Sequence, residues 1–556
     1  MPKQFSFYSF FTKYSLMEDY GFSSGLRRRL FRKILPEVAN ERTIEYFLLK
    51  NENSVEQVLA LLNLKKLGNS HVLKELDLSI KALGAKVVAF GLDNSIKAKF
   101  DDLQLNAQPF EVLFEKLSTI ENCDQPTTIN LMAQLESAQF LIVLLRKNKH
   151  KIGTNFHLTI TTRKILEYIK QIKILLTLKS NFQSEEHWEE IFSRYIEYSK
   201  HKNSIRRFII RHTDLVALEI VEHTSNKGGK YIADSQQEYW SFFLKSLKGG
   251  SIISIFALFK IAFEYHQLNP LQNALFFSFN YALCFVLVKQ LGGIIATKQP
   301  AVTASAIAKG IDKNDDLKID SIQNITTLIR KVSKSQFISI LGNLLMALLF
   351  SCLLTFLLKF FGFNQVLNTI KPTYLIKNTV PSGNLVFFAA IAGFFLALSG
   401  LISGYIDNKV VASKLAYRIR NSSLLFKSEG LANFIDKKSG ALAGNITLGF
   451  FLGTAFLLGD LLPIPIDIRH IAFSSANIGY SIMSEGFNYN IILLALLGAI
   501  LIGTINFVVS FSITLFLALK SRGASFQILP TVIKNVLKDF IRRPIGYFIY
   551  TKRDSV

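Results

Sequence analysis

Cysteine and tryptophan are almost missing from this 556-residue chain, at three and two residues. Cys123 lies in a polar segment, Cys284 and Cys352 lie in apolar runs, and no CxxC or CxxxC spacing occurs. That excludes a disulfide framework and a structural zinc site, which need paired or clustered thiols. With so little tryptophan, the 48 phenylalanines and the tyrosines must form most of any aromatic belt at a membrane surface. Acidic residues are also scarce, 41 against 64 Lys and Arg, for a net charge of +23. Such an excess fits either nucleic acid or the anionic face of a membrane. Strand-like alternation is short and rare, at most around 86–90. A signal peptide is not expected either. Lys3, Lys13, Glu18 and Asp19 break the N-terminal apolar run and no small-residue cleavage site follows, so the N-terminal region is expected to stay in the cytoplasm.

What the chain has instead is apolar length, concentrated after residue 250. The stretch 271–308 organises the reading. Its first part, 271–296, is long enough to cross a bilayer, then breaks at Gly292-Gly293 and runs into Thr297, Lys298, Gln299 and Pro300. Before it, apolar residues recur every three or four positions from 54 to about 178, as in Val55, Val58, Leu59 and Leu62. That pattern predicts a bundle of six to ten helices, with Phe140–Leu145 too short to span and part of a buried core helix. Residues 20–36 predict a short basic helix that either lies on anionic lipid or is a solvated surface helix.

After it, six spans are expected near 249–263, 271–296, 337–361, 384–406, 441–462 and 491–519. The first is short and holds Lys260, so a re-entrant hairpin with the second is one option for it. Loop charge tests the count. The loops 297–335 and 407–440 and the C-terminal tail are rich in Lys and Arg, whereas the other loops hold only Lys371, Lys377 and Arg469. This asymmetry satisfies the positive-inside rule and accounts for much of the basic charge without nucleic acid. The expected fold is therefore all-α: a cytosolic helical domain (1–240), a polytopic transmembrane helix bundle (241–520) and a basic cytosolic tail (521–556). The expected location is the bacterial cytoplasmic membrane, with both termini inside. Anionic headgroups are the expected partner, and the cytosolic domain is open to a protein partner.

Candidate site residues fall into three groups. On the inner face stand His223, Thr224 and Tyr231 around Gly228-Gly229, then Lys298 and Gln299, and then Asp407, Arg418 and Arg420 in the GYIDN and YRIR loop motifs. The glycine loop can hold an anionic headgroup through backbone N–H groups, or simply join two helices; it lacks the P-loop spacing. On the outer face, Asp467, Arg469 and His470 either bind a carboxylate or phosphate or clasp a helix end. Within the spans, Asn280, Lys289, Asn445 and Asp460 are costly in lipid; Lys289 and Asp460 pair, face a cavity or sit at an interface. Gly400/Gly404 and Gly449/Gly453, with Ala495, Ala499 and Gly503, mark close helix packing. No cofactor, metal or catalytic constellation is expected.

Taken together, several pieces resemble a bacterial membrane-protein family catalogued as site-specific recombinase (the Gcr-like family). They are Arg146…Gly153…His157-Leu158-Thr159, His223-Thr224…Gly229…Tyr231, Asn280-Tyr281 leading to ATKQPA at 296–301, Gly404-Tyr405-Ile406-Asp407-Asn408, Gly444-Asn445…Gly449-Phe450…Gly453, and Asp467-Ile468-Arg469-His470. ATKQPA before a small-residue helix is the most specific. The resemblance implies DNA strand exchange, but the chain has no His-x-x-Arg for a tyrosine recombinase. Ser23 and Ser24 beside Arg27–Arg29 are better explained as helix caps than as a serine nucleophile.

Overall fold

The computed structural model describes residues 70–118, 125–148, 152, 156–180, 232–265, 268–297, 319–422, 428–461, 466–486, 488–521 and 528–550. Among them the secondary structure is helical, with no strand. The chain forms two compact units, Met1–Leu215 and Val216–Val556.

In the first unit the described helices are α1 (Ser70–Gly91), α2 (Asn94–Asp102), α3 (Gln108–Ser118), α4 (Gln125–Lys147) and α5 (Phe156–Ser180). Their apolar faces meet in one core around Leu83, Val87, Phe110, Leu135, Ile169 and Ile172. The alternation at 86–90 is part of α1, not a strand; Val87 and Val88 both face the core. In α4, Ile142 and Leu145 are buried as expected, but Phe140 and Val143 are exposed. Thr128–Lys147 is also long and apolar enough to cross a membrane, which brings the helices with that property among the described residues to seven.

The second unit holds the other six: α6 (Gln236–Tyr265), α7 (Pro270–Gln290), α8 (Ile319–Phe360), α9 (Gly383–Ala412), α10 (Glu429–Leu461) and, after the shorter α11 (Ile471–Glu485), α12 (Tyr489–Ser521). The first of the six is a full 30-residue helix, so no re-entrant hairpin is needed there. Local chemistry explains the ends. Asn269 and Gln272 form a reciprocal capping box at the start of α7, with Pro270 in its first turn. Ser382 caps α9, whose Leu385 N–H donates to its hydroxyl at 3.2 Å.

Small residues set the packing. Gly449 and Gly453 of α10 lie against the backbone of Ala282 and Ser278 of α7, so these two helices touch main chain to main chain. The register is antiparallel: Asn445 donates to Phe285 O at 3.1 Å and Lys438 to Gln290 Oε1 at 2.9 Å. Gly250 of α6 packs on the α8 backbone at Asn343 and Ala347. Together these registers run α6, α8 and α10 one way, and α7, α9 and α12 the other.

Two stretches depart from the expected spans. The second span stops as helix at Gln290, and 291–297 continues as non-helical backbone with φ +75° at Gly292 and +69° at Thr297. Gly292 accepts that left-handed conformation without a Cβ penalty. Buried side chains satisfy the freed backbone groups. Ala296 N–H donates to Asn343 Oδ1 (3.0 Å), Asn343 Nδ2 donates to Ile294 O (3.0 Å) and Ser246 O (2.8 Å), and Ser510 Oγ donates to Thr297 O (3.2 Å). Irregular backbone inside a membrane protein persists only when satisfied in this way.

The other departure is α11, which lies inside what reads in sequence as an outer loop. Ten of its first eleven residues are buried. Its start lies well inside the bundle: the His470 ring is tilted 50° to that of Phe285 in α7, with centroids 6.0 Å apart, and Asn506, midway along α12, donates to Arg469 O (3.1 Å). Its end meets the last turn of α8, where Lys359 Nζ donates to Met483 O. The helix is therefore a half-length element, about 22 Å long, that returns to the end of the bundle from which its loop came.

A final helix, α13 (Ile528–Arg542), docks on α8 through buried Val532 and an Arg330–Asp539 ion pair at 3.2 Å. Tyr547 donates to the same carboxylate (3.0 Å); burial and Asp539 both hold its phenol above the ordinary value, so it stays protonated.

Candidate functional site

The outer-loop residues come together at the head of α11. Arg469 is fixed on all sides: Nη1 pairs with Asp467 and donates to Ile468 O, Nη2 donates to Asn378 Oδ1 (3.0 Å) and Nε to Asn378 O (3.2 Å). Its guanidinium also lies 5.3 Å from the Phe388 ring centroid. The Asp467–Arg469 pair is thus a clasp that anchors the descending loop to the segment after the short helix Pro372–Lys377. His470 follows it into the interior. It is 1% exposed, and among the described residues neither ring nitrogen has a hydrogen-bond partner. A buried unpaired polar group costs about 1–3 kcal/mol, so this imidazole is a costly feature of the interior.

Beside it lies a small pocket that opens to the surface. Five segments build its wall, the loop at 467–469 among them. From α6 come Lys260 and Glu264, one helical turn apart; α7 supplies Tyr281; 374–379 contributes Tyr374, Asn378 and Thr379; and the head of α11 gives His470, Ser474 and Asn477. Depth separates them. His470, Tyr281, Ser474 and Thr379 are buried, whereas Glu264 and Tyr374 are exposed and Asp467 is partly so. Lys260 stands over the Phe277 ring at 5.3 Å, beside Tyr281. No hydrogen bond or ion pair occupies its ammonium among the described residues.

The other candidates are placed differently. The expected inner-face loop at 404–408 is helix: α9 continues to Ala412, because no breaker interrupts GYIDNKVVA, and ends where Lys414 turns left-handed at φ +51°. Asp407 is buried and accepts from Gly440 N–H (3.2 Å), which ties α9 to α10. Arg418 and Arg420 are exposed on the short helix Leu415–Arg420, with Arg420 donating to Asn433 Oδ1 at 2.7 Å. Asn280 and Asn445 are buried between helices. Their amides donate across helices to Phe256 O (2.9 Å) and Phe285 O. Lys289 is exposed at the end of α7, level with Lys438 of α10, while Asp460 lies at α10's other end. Roughly 30 Å of helix separates those levels, so the two do not pair. His223, Thr224, Tyr231, Lys298, Gln299 and the basic helix at 20–36 lie outside the described residues.

The family model described as site-specific recombinase matches residues 2–549. The chain belongs to that family. No curated protein and no solved structure matches it. In this member of the site-specific recombinase family, several described tyrosines hold the bundle together. Tyr480 donates to Ser254 O (2.6 Å), Tyr239 to Phe548 O (3.1 Å) and Tyr550 to Asp234 O (3.2 Å). Among the described residues no group of three or more His, Cys, Asp or Glu side chains is placed to hold a metal ion. The pocket of this family member includes Lys260, Glu264 and Tyr281, which sequence reasoning did not assign to a site. A signal existed for each: Lys260 and Glu264 are charges one turn apart at the end of an apolar run, and Tyr281 follows Asn280 in one of the quoted pieces.

Proposed function

We propose that the chain is a non-enzymatic, multi-pass protein of the bacterial cytoplasmic membrane that holds a small polar solute or lipid headgroup. The observation that carries this is the half-length α11, which starts inside the bundle at a polar pocket with the unpartnered His470. Interrupted helices of this kind serve ligand sites in membrane proteins because their free N–H groups face the cavity. Native mass spectrometry of the full chain in mild detergent tests the proposal. We expect a small molecule bound to the wild type and absent from His470→Leu; ligand-free wild-type protein counts against it.

The second reading, a membrane-tethered recombinase, has the family's description in its favour. It requires a covalent Ser– or Tyr–phosphodiester intermediate. Denaturing purification, nuclease digestion and peptide mass spectrometry distinguish the two. We expect no nucleotide adduct; a reproducible adduct at one residue would establish the recombinase and identify its nucleophile.

Orientation follows from loop charge: the Lys/Arg-rich ends face the cytoplasm, as do both termini of the bundle. Helix α13 supports anionic headgroups as the partner there. Val532 and Val536 pack inward, Ile533, Leu537, Phe540 and Ile541 form an exposed apolar face, and Lys534, Lys538 and Arg542 line its edge. That arrangement suits a helix lying in the headgroup layer. Amide exchange over 528–542 is expected to be slower in phosphatidylglycerol nanodiscs than in phosphatidylcholine ones. Lys534→Gln with Lys538→Gln should remove the difference, and equal exchange in both lipids would argue for a helix in water.

A further inference from the structure

We infer that the pocket at the head of α11 takes a zwitterion, its anionic end against Lys260 and the α11 N-terminus and its ammonium end at Glu264 and Asp467. The inference rests on the ligand-site reading above and names the chemical class. Four charged side chains line the pocket, Lys260 and Arg469 against Glu264 and Asp467, so their formal charges cancel. A singly charged ligand would leave one charge unbalanced in a largely desolvated site, whereas a zwitterion keeps the sum at zero.

The charges are also separated in depth. Arg469 is already committed to Asp467 and Asn378, which leaves Lys260 as the available cation. The first N–H groups of α11 have no intrahelical acceptor, and His470, at the N-cap position, makes no side-chain cap bond. Their partial positive charge favours an oxyanion. The second, independent observation is His470 itself, 1% exposed with both nitrogens unpartnered on the pocket wall. A neutral imidazole supplies one donor and one acceptor, enough to hold an oxyanion or a hydroxyl beside it. At the mouth, Glu264 is exposed and carries no ion pair among the described residues. Asp467, 42% exposed, pairs with Arg469 through Oδ2 and accepts the Ile468 N–H on Oδ1. An ammonium group a few bonds from the anion reaches these carboxylates.

The chemistry comes from two sources, a free solute or a phospholipid headgroup. The test uses the full-length protein and four soluble probes: glycerophosphoethanolamine, β-alanine, inorganic phosphate and ethanolamine. Nanodiscs with and without phosphatidylethanolamine form a separate arm. The readout is the thermal unfolding midpoint. We expect a rise of about 3 °C or more with a zwitterion and none with phosphate or ethanolamine. Lys260→Gln and Glu264→Gln, each removing one pole, should abolish the rise while their ligand-free midpoints stay near wild type. A rise with the free compounds alone assigns a solute, and a rise with the lipid alone assigns a headgroup. The inference is overturned if phosphate alone matches the zwitterions, if both variants keep the rise, or if no zwitterion in either form raises the midpoint. A non-zwitterionic molecule that co-purifies with wild type and is lost from His470→Leu would sink the ligand class and keep the site.

Discussion

Asn343→Ala is expected to destabilise the membrane unit by about 2–6 kcal/mol, read as a lower unfolding midpoint in detergent and a reduced yield of monodisperse protein. The side chain is fully buried and binds the non-helical return at 294–296 from both sides, accepting from Ala296 N–H and donating to Ile294 O. Removing it orphans one donor and one acceptor where water does not reach. Its third contact, Ser246 O, belongs to α6, so the amide also fastens that helix to α8. Asn343→Leu fills the volume without the hydrogen bonds and should do no better than alanine. Wild-type behaviour of the leucine variant would show that the return holds itself.

The second large effect is expected from the α7–α10 seam. A Cβ on Gly453 would land on the backbone N and Cα of Ser278, and one on Gly449 on those of Ala282. Backbone cannot swing aside as a flexible side chain does, so the helices themselves must separate. Alanine at either position should cost about 1–3 kcal/mol, and leucine at Gly453 should prevent accumulation of folded protein. Gly383→Ala is the control, because nothing lies within 4 Å of its added Cβ. If Gly453→Leu accumulates and melts like wild type, the main-chain contact between α7 and α10 is not what holds that seam.

The long helices were legible because runs of twenty or more apolar residues carry their own signal, and the Gly449/Gly453 spacing marked the close α7–α10 seam. Helix α11 was hidden for a physical reason. Ser474, Ser475, Asn477, Ser481 and Ser484, with Gly479, dilute fifteen residues that are already too few to span. Their burial comes from neighbours: Gly479 fits against Ser351 of α8, and Tyr480 reaches Ser254 of α6. The Asp467, Arg469 and His470 cluster was visible as a motif, yet Lys260 joins it from two hundred residues away. Asn280 and Asn445 stood out in sequence only as costly polar groups in apolar runs, and hydrogen bonding across a helix interface meets that expense. GYIDN looked like a loop because it is polar. No breaker stops α9 there, and the buried Asp407 is satisfied by the Gly440 N–H on the facing helix.

The 42 residues of α8 make a rod of about 63 Å, roughly twice the hydrocarbon thickness of a bilayer. One end carries α13 through Arg330, and the other carries the tail of α11 through Lys359. Because the helix is continuous and packs on α6 from 342 to 347, it joins the lipid-facing helix α13 to the half-length helix of the pocket by one uninterrupted stretch of backbone.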